Sequence, residues 1–129
     1  MALHTWLQFD PAQAVKSISE KMREAVFSVL NRKGCVVAVS GGIDSSVCAA
    51  LTVEALGKAR VFALLLPEKD SSSASRSLGE ELCLHLGVAF EVKDIAPTLD
   101  AIGCYQWRDD AIRSIFPEYR DDWKNKIVI

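Results

Sequence analysis

An α/β fold, with helices on both faces of a parallel sheet, is what this sequence predicts, and three observations carry it. Two short runs, Cys35-Val36-Val37-Ala38-Val39 and Arg60 to Leu66, are almost wholly apolar, as strands covered on both faces are. A third run, Ala89 to Ile95, alternates Phe90 and Val92 with Glu91 and Lys93, so one of its faces is wet. Segments of helical character separate the three, giving strand, helix, strand, helix, strand.

Taken in order, Asp10-Pro11 reads as a helix start, with Asp10 as cap and Pro11 at the first helical position. Val15, Ile18, Met22, Val26, Val29 and Leu30 then recur at helical spacing, while Lys16, Glu20, Arg23 and Glu24 lie elsewhere on the surface. Gly34, after Arg32 and Lys33, suits the end of a helix covering 10–33. The first strand, Cys35–Val39, follows. Ser45 to Leu56 is a helix apolar almost all round, hence largely buried, and Gly57 ends it. The second strand stops at Pro67. Ser71-Ser72-Ser73 supplies candidate caps for a third helix, whose Leu78, Leu82 and Leu86 run four apart before Gly87.

Right-handed crossovers and the apolar–apolar–amphipathic series place the third strand outermost, in the order 3-2-1 with strand 1 central. Strand 1 then requires a neighbour on its far side that little remaining sequence supplies. Pro97 to Ile102 and Asp109 to Phe116 read as short helices, Pro117 to Asn125 as a polar tail, and Lys126-Ile127-Val128-Ile129 as the start of a strand. The expected organisation is a single, incomplete domain over 1–129, with 104–129 a divergent or shortened tail.

Composition narrows the function. Half the residues are apolar, a quarter are charged, and the formal net charge is −2, which gives no general attraction to nucleic acid or acidic membrane surfaces. No run approaches the ~20 apolar residues that cross a bilayer. The beginning of the chain lacks the basic-then-apolar pattern of a signal peptide. Cys35, Cys48, Cys83 and Cys104 form no Cys-x-x-Cys pair and read as reduced structural thiols, consistent with a cytoplasmic protein.

The chemistry sits in Ser40-Gly41-Gly42-Ile43-Asp44-Ser45-Ser46, between strand 1 and its helix. In open α/β sheets the ligand lies there, outside the carboxyl ends of the strands. Gly41 and Gly42 permit backbone conformations closed to other residues and let main-chain N–H groups approach a ligand. Those N–H groups form an anion nest backed by the helix N-terminus, and Ser40, Ser45 and Ser46 add hydroxyl donors. Asp44 would repel a phosphate unless a cation intervened; Mg²⁺ binds through one or two carboxylates plus phosphates. The plainer role for Asp44 is capping the helix, and both roles are compatible. The loop has neither the Walker spacing nor Gly-x-Gly-x-x-Gly.

Ser-Gly-Gly-Ile-Asp-Ser-Ser after an apolar strand resembles the pyrophosphate-binding loop of the N-type ATP pyrophosphatases, the PP-loop superfamily. Leu64-Leu65-Leu66-Pro67, then Ser71-Ser72 and Gly79-Glu80-Glu81-Leu82-Cys83-Leu84-His85-Leu86-Gly87-Val88, resembles its NAD synthetases most closely. Val53-Glu54-Ala55-Leu56-Gly57 agrees. The likeness extends over about Val15 to Ile102. It implies a Rossmann-like adenine nucleotide alpha hydrolase fold, with ATP pyrophosphate on Ser40, Gly41, Gly42, Asp44, Ser45 and Ser46 and adenine against backbone at Val39 and Leu66. It implies Mg²⁺ at Asp44. A carboxylate of nicotinic acid adenine dinucleotide would be adenylated, and ammonia would displace AMP to leave the amide. The resemblance implies a ligase of NAD biosynthesis, which in this family is a dimer; the uncovered strand 1 points separately to a homodimer here. Alternatives are a GMP synthetase-like or tRNA thiolation-like enzyme, or an ATP-binding protein without turnover. The family's second half, with further metal and phosphate ligands, has no counterpart after Ile102.

Other residues have plainer readings. Lys69 and Arg76 flank the loop after strand 2, within reach of a phosphate, but solvated charge is the expected role. His4 and His85 lack metal partners at ligand spacing. Cys35 and Cys48 are packing residues, and Trp107 and Trp123 cover apolar surface. No catalytic side chain is assigned.

Overall fold

The computed structural model describes residues 9–120 together with 122 and 123; the strand expected at Lys126–Ile129 lies outside the described residues. The chain forms two compact units, Met1–Asp94 and Ile95–Ile129.

In the first unit, helix α1 spans Pro11–Glu24 and continues through a π-helical turn, Ala25–Val29. Its start is as expected: the Asp10 carboxylate accepts from the N–H groups of Ala12 (2.9 Å) and Gln13 (3.3 Å), with Pro11 at the first position. Its end is not at Gly34. Asn31 takes the left-handed conformation at φ 50°, as a residue with a short polar side chain does most readily after glycine. Gly34 serves another purpose: a Cβ there would stand 2.3 Å from the Arg60 carbonyl oxygen, so only glycine lets the two segments pass. The apolar stripe is only partly covered. Val26 is buried, but Val29 and Leu30 are exposed. Arg23, expected on the surface, donates from Nε to the Ala55 carbonyl at 2.8 Å and so satisfies one of the free acceptors at the end of the next helix.

Three parallel strands follow, β1 (Cys35–Ala38), β2 (Val61–Leu65) and β3 (Ala89–Val92), joined by helices α2 (Ile43–Leu56) and α3 (Ser73–Leu86). The order β1-β2-β3 agrees with the expected 3-2-1, and the register pairs Val37 with Ala63 and Ala63 with Phe90. Ser72 caps α3, accepting from Ser75 N–H at 3.0 Å, and Gly87 closes it at φ 65°.

Alternate residues along each strand share a face. Cys35, Val37, Val39, Val61, Ala63, Leu65, Phe90 and Val92 pack with Ala49, Ala55 and Leu56 of α2 and Cys83 of α3. Both crossovers step the same way across the sheet, so right-handedness sends both helices to this one face. The other face carries Val36, Ala38, Phe62, Leu64, Ala89 and Glu91. The expectation that strand 1 is covered on both sides fails at Val36, which is 65% exposed.

The second unit holds α4 (Ala96–Ala101) and α5 (Cys104–Arg113). Helix α5 begins five residues before the expected Asp109, because Gly103 at φ 79° ends one helix and opens the next. Asp109 is therefore internal, paired with Arg108 at 2.9 Å and accepting from the Tyr119 hydroxyl at 3.5 Å.

Candidate functional site

The turn between β1 and α2 is shaped by glycine and serine. Of its two glycines, Gly41 alone has a positive φ, 79°, and a Cβ on it would fall 2.1 Å from the Ser75 carbonyl oxygen of α3. Gly42 has an ordinary φ of −86° and open space before it: a Cβ on Gly42 would meet nothing closer than Ser40 Oγ at 3.5 Å. The two glycines are thus not equivalent: Gly41 is required by conformation and packing, while Gly42 leaves room in front of the helix.

Ser45 ties the turn together. Its Oγ accepts from Ser40 N–H at 3.1 Å, lies 3.1 Å from Ser40 Oγ, and donates to the Gly42 carbonyl at 3.0 Å. Ser46 Oγ donates to that same carbonyl at 2.9 Å. Gly42 N–H is 3.4 Å from Ser40 Oγ. Helix α2 starts at Ile43, two residues earlier than expected, so Ile43, Asp44 and Ser45 form its first turn, where N–H groups have no helical acceptor. Gly42 is the cap residue and no side chain among the described residues caps this end, which removes capping as the role of Asp44. The Asp44 carboxylate is exposed beside the partial positive charge of the helix N-terminus.

Next to the turn, at the carboxyl ends of β1 and β2, is a cavity of about 140 Å³ bordered by Val39, Ser40, Leu66, Pro67, Ser75 and Arg76, among others. Val39 is buried at its base and its N–H donates to the Leu64 carbonyl at 2.9 Å. Leu66 lies just past the end of β2 and joins no neighbouring strand among the described residues. The cavity is below the ~300 Å³ at which whole-ligand pockets begin, and admits one ring system rather than an entire nucleotide. On the α3 side of the turn, Gly41 and Ser46 border a shallow depression with Leu78, Glu81 and His85.

All the loop residues singled out in the sequence therefore meet at one place, and Val39 and Leu66 share a cavity beside it. Ser71, Ser75 and Arg76 also border that cavity; of these, the sequence pointed only to Arg76 as a candidate ligand, and there for a phosphate. A signal for the serines lay in the cluster Ser71-Ser72-Ser73, in the connection between β2 and α3. A broader depression of about 1060 Å³, bordered by Arg32, Lys33, Lys58 and Arg60, lies at the opposite ends of the strands. Cys83 is buried in α3, and burial pushes its thiol above the usual range, as befits a packing residue. No group of three or more His, Cys, Asp or Glu side chains assembles among the described residues.

Known proteins are similar to this chain in sequence and in fold. The NH(3)-dependent NAD(+) synthetase of Rhizobium rhizogenes is 45% identical over 123 residues, covering 95% of this chain and 37% of that protein. The enzyme of the same name from Thermotoga neapolitana is 48% identical over 92 residues, 71% of this chain and 30% of its own. Among solved structures, the NH3-dependent NAD synthetase of Campylobacter jejuni superposes with a TM-score of 0.67 at 28% identity, covering 85% of this chain and 50% of that one. The chain thus spans about a third of the length of these curated relatives. The family model for NAD synthase matches residues 13–115, a stretch that includes the turn, the cavity and all three strands, and on that match the chain belongs to the NAD synthase family.

Proposed function

We propose that this chain is the ATP-binding segment of an enzyme that adenylates a carboxylate and converts it to an amide. The acceptor is nicotinic acid adenine dinucleotide and ammonia is the nitrogen source, in keeping with the names of the relatives. The observation that carries the reading is the open turn at the start of α2. Three serine hydroxyls hold it, the first-turn N–H groups have no helical acceptor, and a ring-sized cavity adjoins it.

In this reading the pyrophosphate of ATP rests on Ser40, Gly41, Gly42, Asp44, Ser45 and Ser46, and the base enters beside Val39 and Leu66. As the acceptor carboxylate attacks the α-phosphorus, charge grows on the leaving pyrophosphate. The N–H groups of Ile43, Asp44 and Ser45 and the α2 dipole are already oriented to receive that charge, so no reorganisation is required. Ser45 and Ser46 fix the turn through Gly42 instead of transferring protons. Mg²⁺ fits the donor set: it needs one or two carboxylates besides phosphate oxygens, and Asp44 offers one, exposed, beside the turn. When bound, the ion would spread the leaving-group charge.

A cytoplasmic setting accords with the four free thiols. No described helix is long and apolar enough to cross a membrane. Association as a homodimer belongs to the same proposal, supported by exposed Val36 on the sheet face that α2 and α3 leave open.

The test is Gly42→Ile. Gly42 has room for a side chain and an ordinary φ, so the variant folds, but its branched side chain occupies the space in front of α2. Titration calorimetry with ATP and with pyrophosphate, each with Mg²⁺, is expected to show binding by the native chain and none by the variant. Unchanged affinity in Gly42→Ile would remove the turn from the binding site.

A further inference from the structure

We infer that Arg76 is a specificity residue for the base of the bound nucleotide, closing the cavity between β1 and β2 from the α3 side. The inference rests on the nucleotide reading above and adds a residue to it. Arg76 borders the cavity together with Val39, Leu66 and Pro67 and is the single charged side chain to do so among the described residues. It does not border the depression on the other side of the turn, where Gly41 and Ser46 lie. The remaining walls are apolar side chains, serines and main chain, which suits a planar ring better than a phosphate.

The guanidinium is tied to its own helix. Its Nε donates to Glu80 Oε1 at 2.8 Å, one helical turn along α3. That bond engages Nε and leaves the two terminal nitrogens as further donors. The side chain is 56% exposed, so it acts at the rim and not within the core. A guanidinium plane held over a heterocycle gains a stacking and cation–π attraction. Leu66, whose main chain joins no described strand, borders the same cavity and would be available to the edge of such a ring.

The experiment compares the full chain with Arg76→Ala, Arg76→Lys and Glu80→Gln, titrating each with ATP and with inorganic pyrophosphate in the presence of Mg²⁺. Circular dichroism checks that each variant folds, as expected for an exposed position. A base-directed role predicts that Arg76→Ala loses roughly fivefold in ATP affinity, the size of a partly exposed cation–π contact. It also predicts unchanged pyrophosphate affinity, no restoration by lysine, and a smaller loss in Glu80→Gln. An Arg76→Ala chain that loses ATP and pyrophosphate equally would make the residue a phosphate ligand and overturn the inference, as would full restoration by lysine or no loss of ATP affinity. If the native chain binds neither ligand, the nucleotide reading falls together with this one. Native binding with an indifferent Arg76 defeats this one alone.

Discussion

Replacing Gly41 by alanine separates the glycine that the turn needs structurally from Gly42, which has open space before it. Two costs arise at Gly41. Its φ of 79° places an L-residue in the left-handed region, which costs roughly 1–2 kcal/mol. The new Cβ would also lie 2.1 Å from the Ser75 carbonyl oxygen and 2.9 Å from its carbon. Those are main-chain atoms of α3, so no rotamer change relieves the contact; the start of α3 must move, at about 1–3 kcal/mol for an overpacked site. The sum is about 2–5 kcal/mol, a large share of the 5–15 kcal/mol that a typical domain possesses. Gly42→Ala meets neither cost. It exchanges one cap residue for a poorer one, at a cost of about 1 kcal/mol or less. Urea unfolding followed by far-ultraviolet circular dichroism measures both variants against the native chain. The expected result is a midpoint far lower for Gly41→Ala than for Gly42→Ala. Equal midpoints would refute the reasoning, because they would mean that the turn does not bring Gly41 against Ser75.

Three further outcomes follow from the same structure. Asp10→Ala removes the acceptor for the Ala12 and Gln13 N–H groups and is expected to cost about 1 kcal/mol in urea unfolding, with Asp10→Asn nearly neutral; a loss below the error of the measurement would show that this helix start frays regardless. Thiol titration is expected to modify exposed Cys48 rapidly and buried Cys83 only on unfolding; because burial raises the Cys83 pKa above its ordinary 9.0, its contribution to stability is complete below pH 9 and diminishes as pH rises through the folded-state value. Sedimentation velocity at micromolar concentration is expected to show association of the native chain and a shift toward monomer in Val36→Lys, which places a charge on the open sheet face; a native chain that sediments as a monomer would end the dimer proposal.

Much of the architecture is local enough to read along the chain. Asp10-Pro11 caps a helix whatever follows, Gly87 ends one, and apolar runs four to seven residues long bounded by Gly or Pro make strands. The order 3-2-1 was legible because the wet face of Ala89–Val92 identifies an edge. Seven consecutive residues contain the candidate turn, so its position and its chemistry needed no long-range information. What went unread depends on partners distant in sequence. Gly34 looked like a helix end, yet it is glycine because the Arg60 carbonyl passes within reach of a Cβ. Arg23 looked like surface charge, yet the end of α2 presents it with the Ala55 carbonyl.

The sequence by itself determined the element types, the strand order and the seven-residue turn, because each follows from backbone propensity, capping and side-chain periodicity over a few residues. Only the tertiary structure decided which glycine is packed against α3 and which has open space before it, that α2 and α3 cover a single face, and that Arg76 meets Val39 and Leu66 at one cavity. The physical reason is the crossover: a right-handed β–α–β connection brings the start of α3 against the turn after β1, joining residues some thirty-five positions apart whose contact no local pattern encodes.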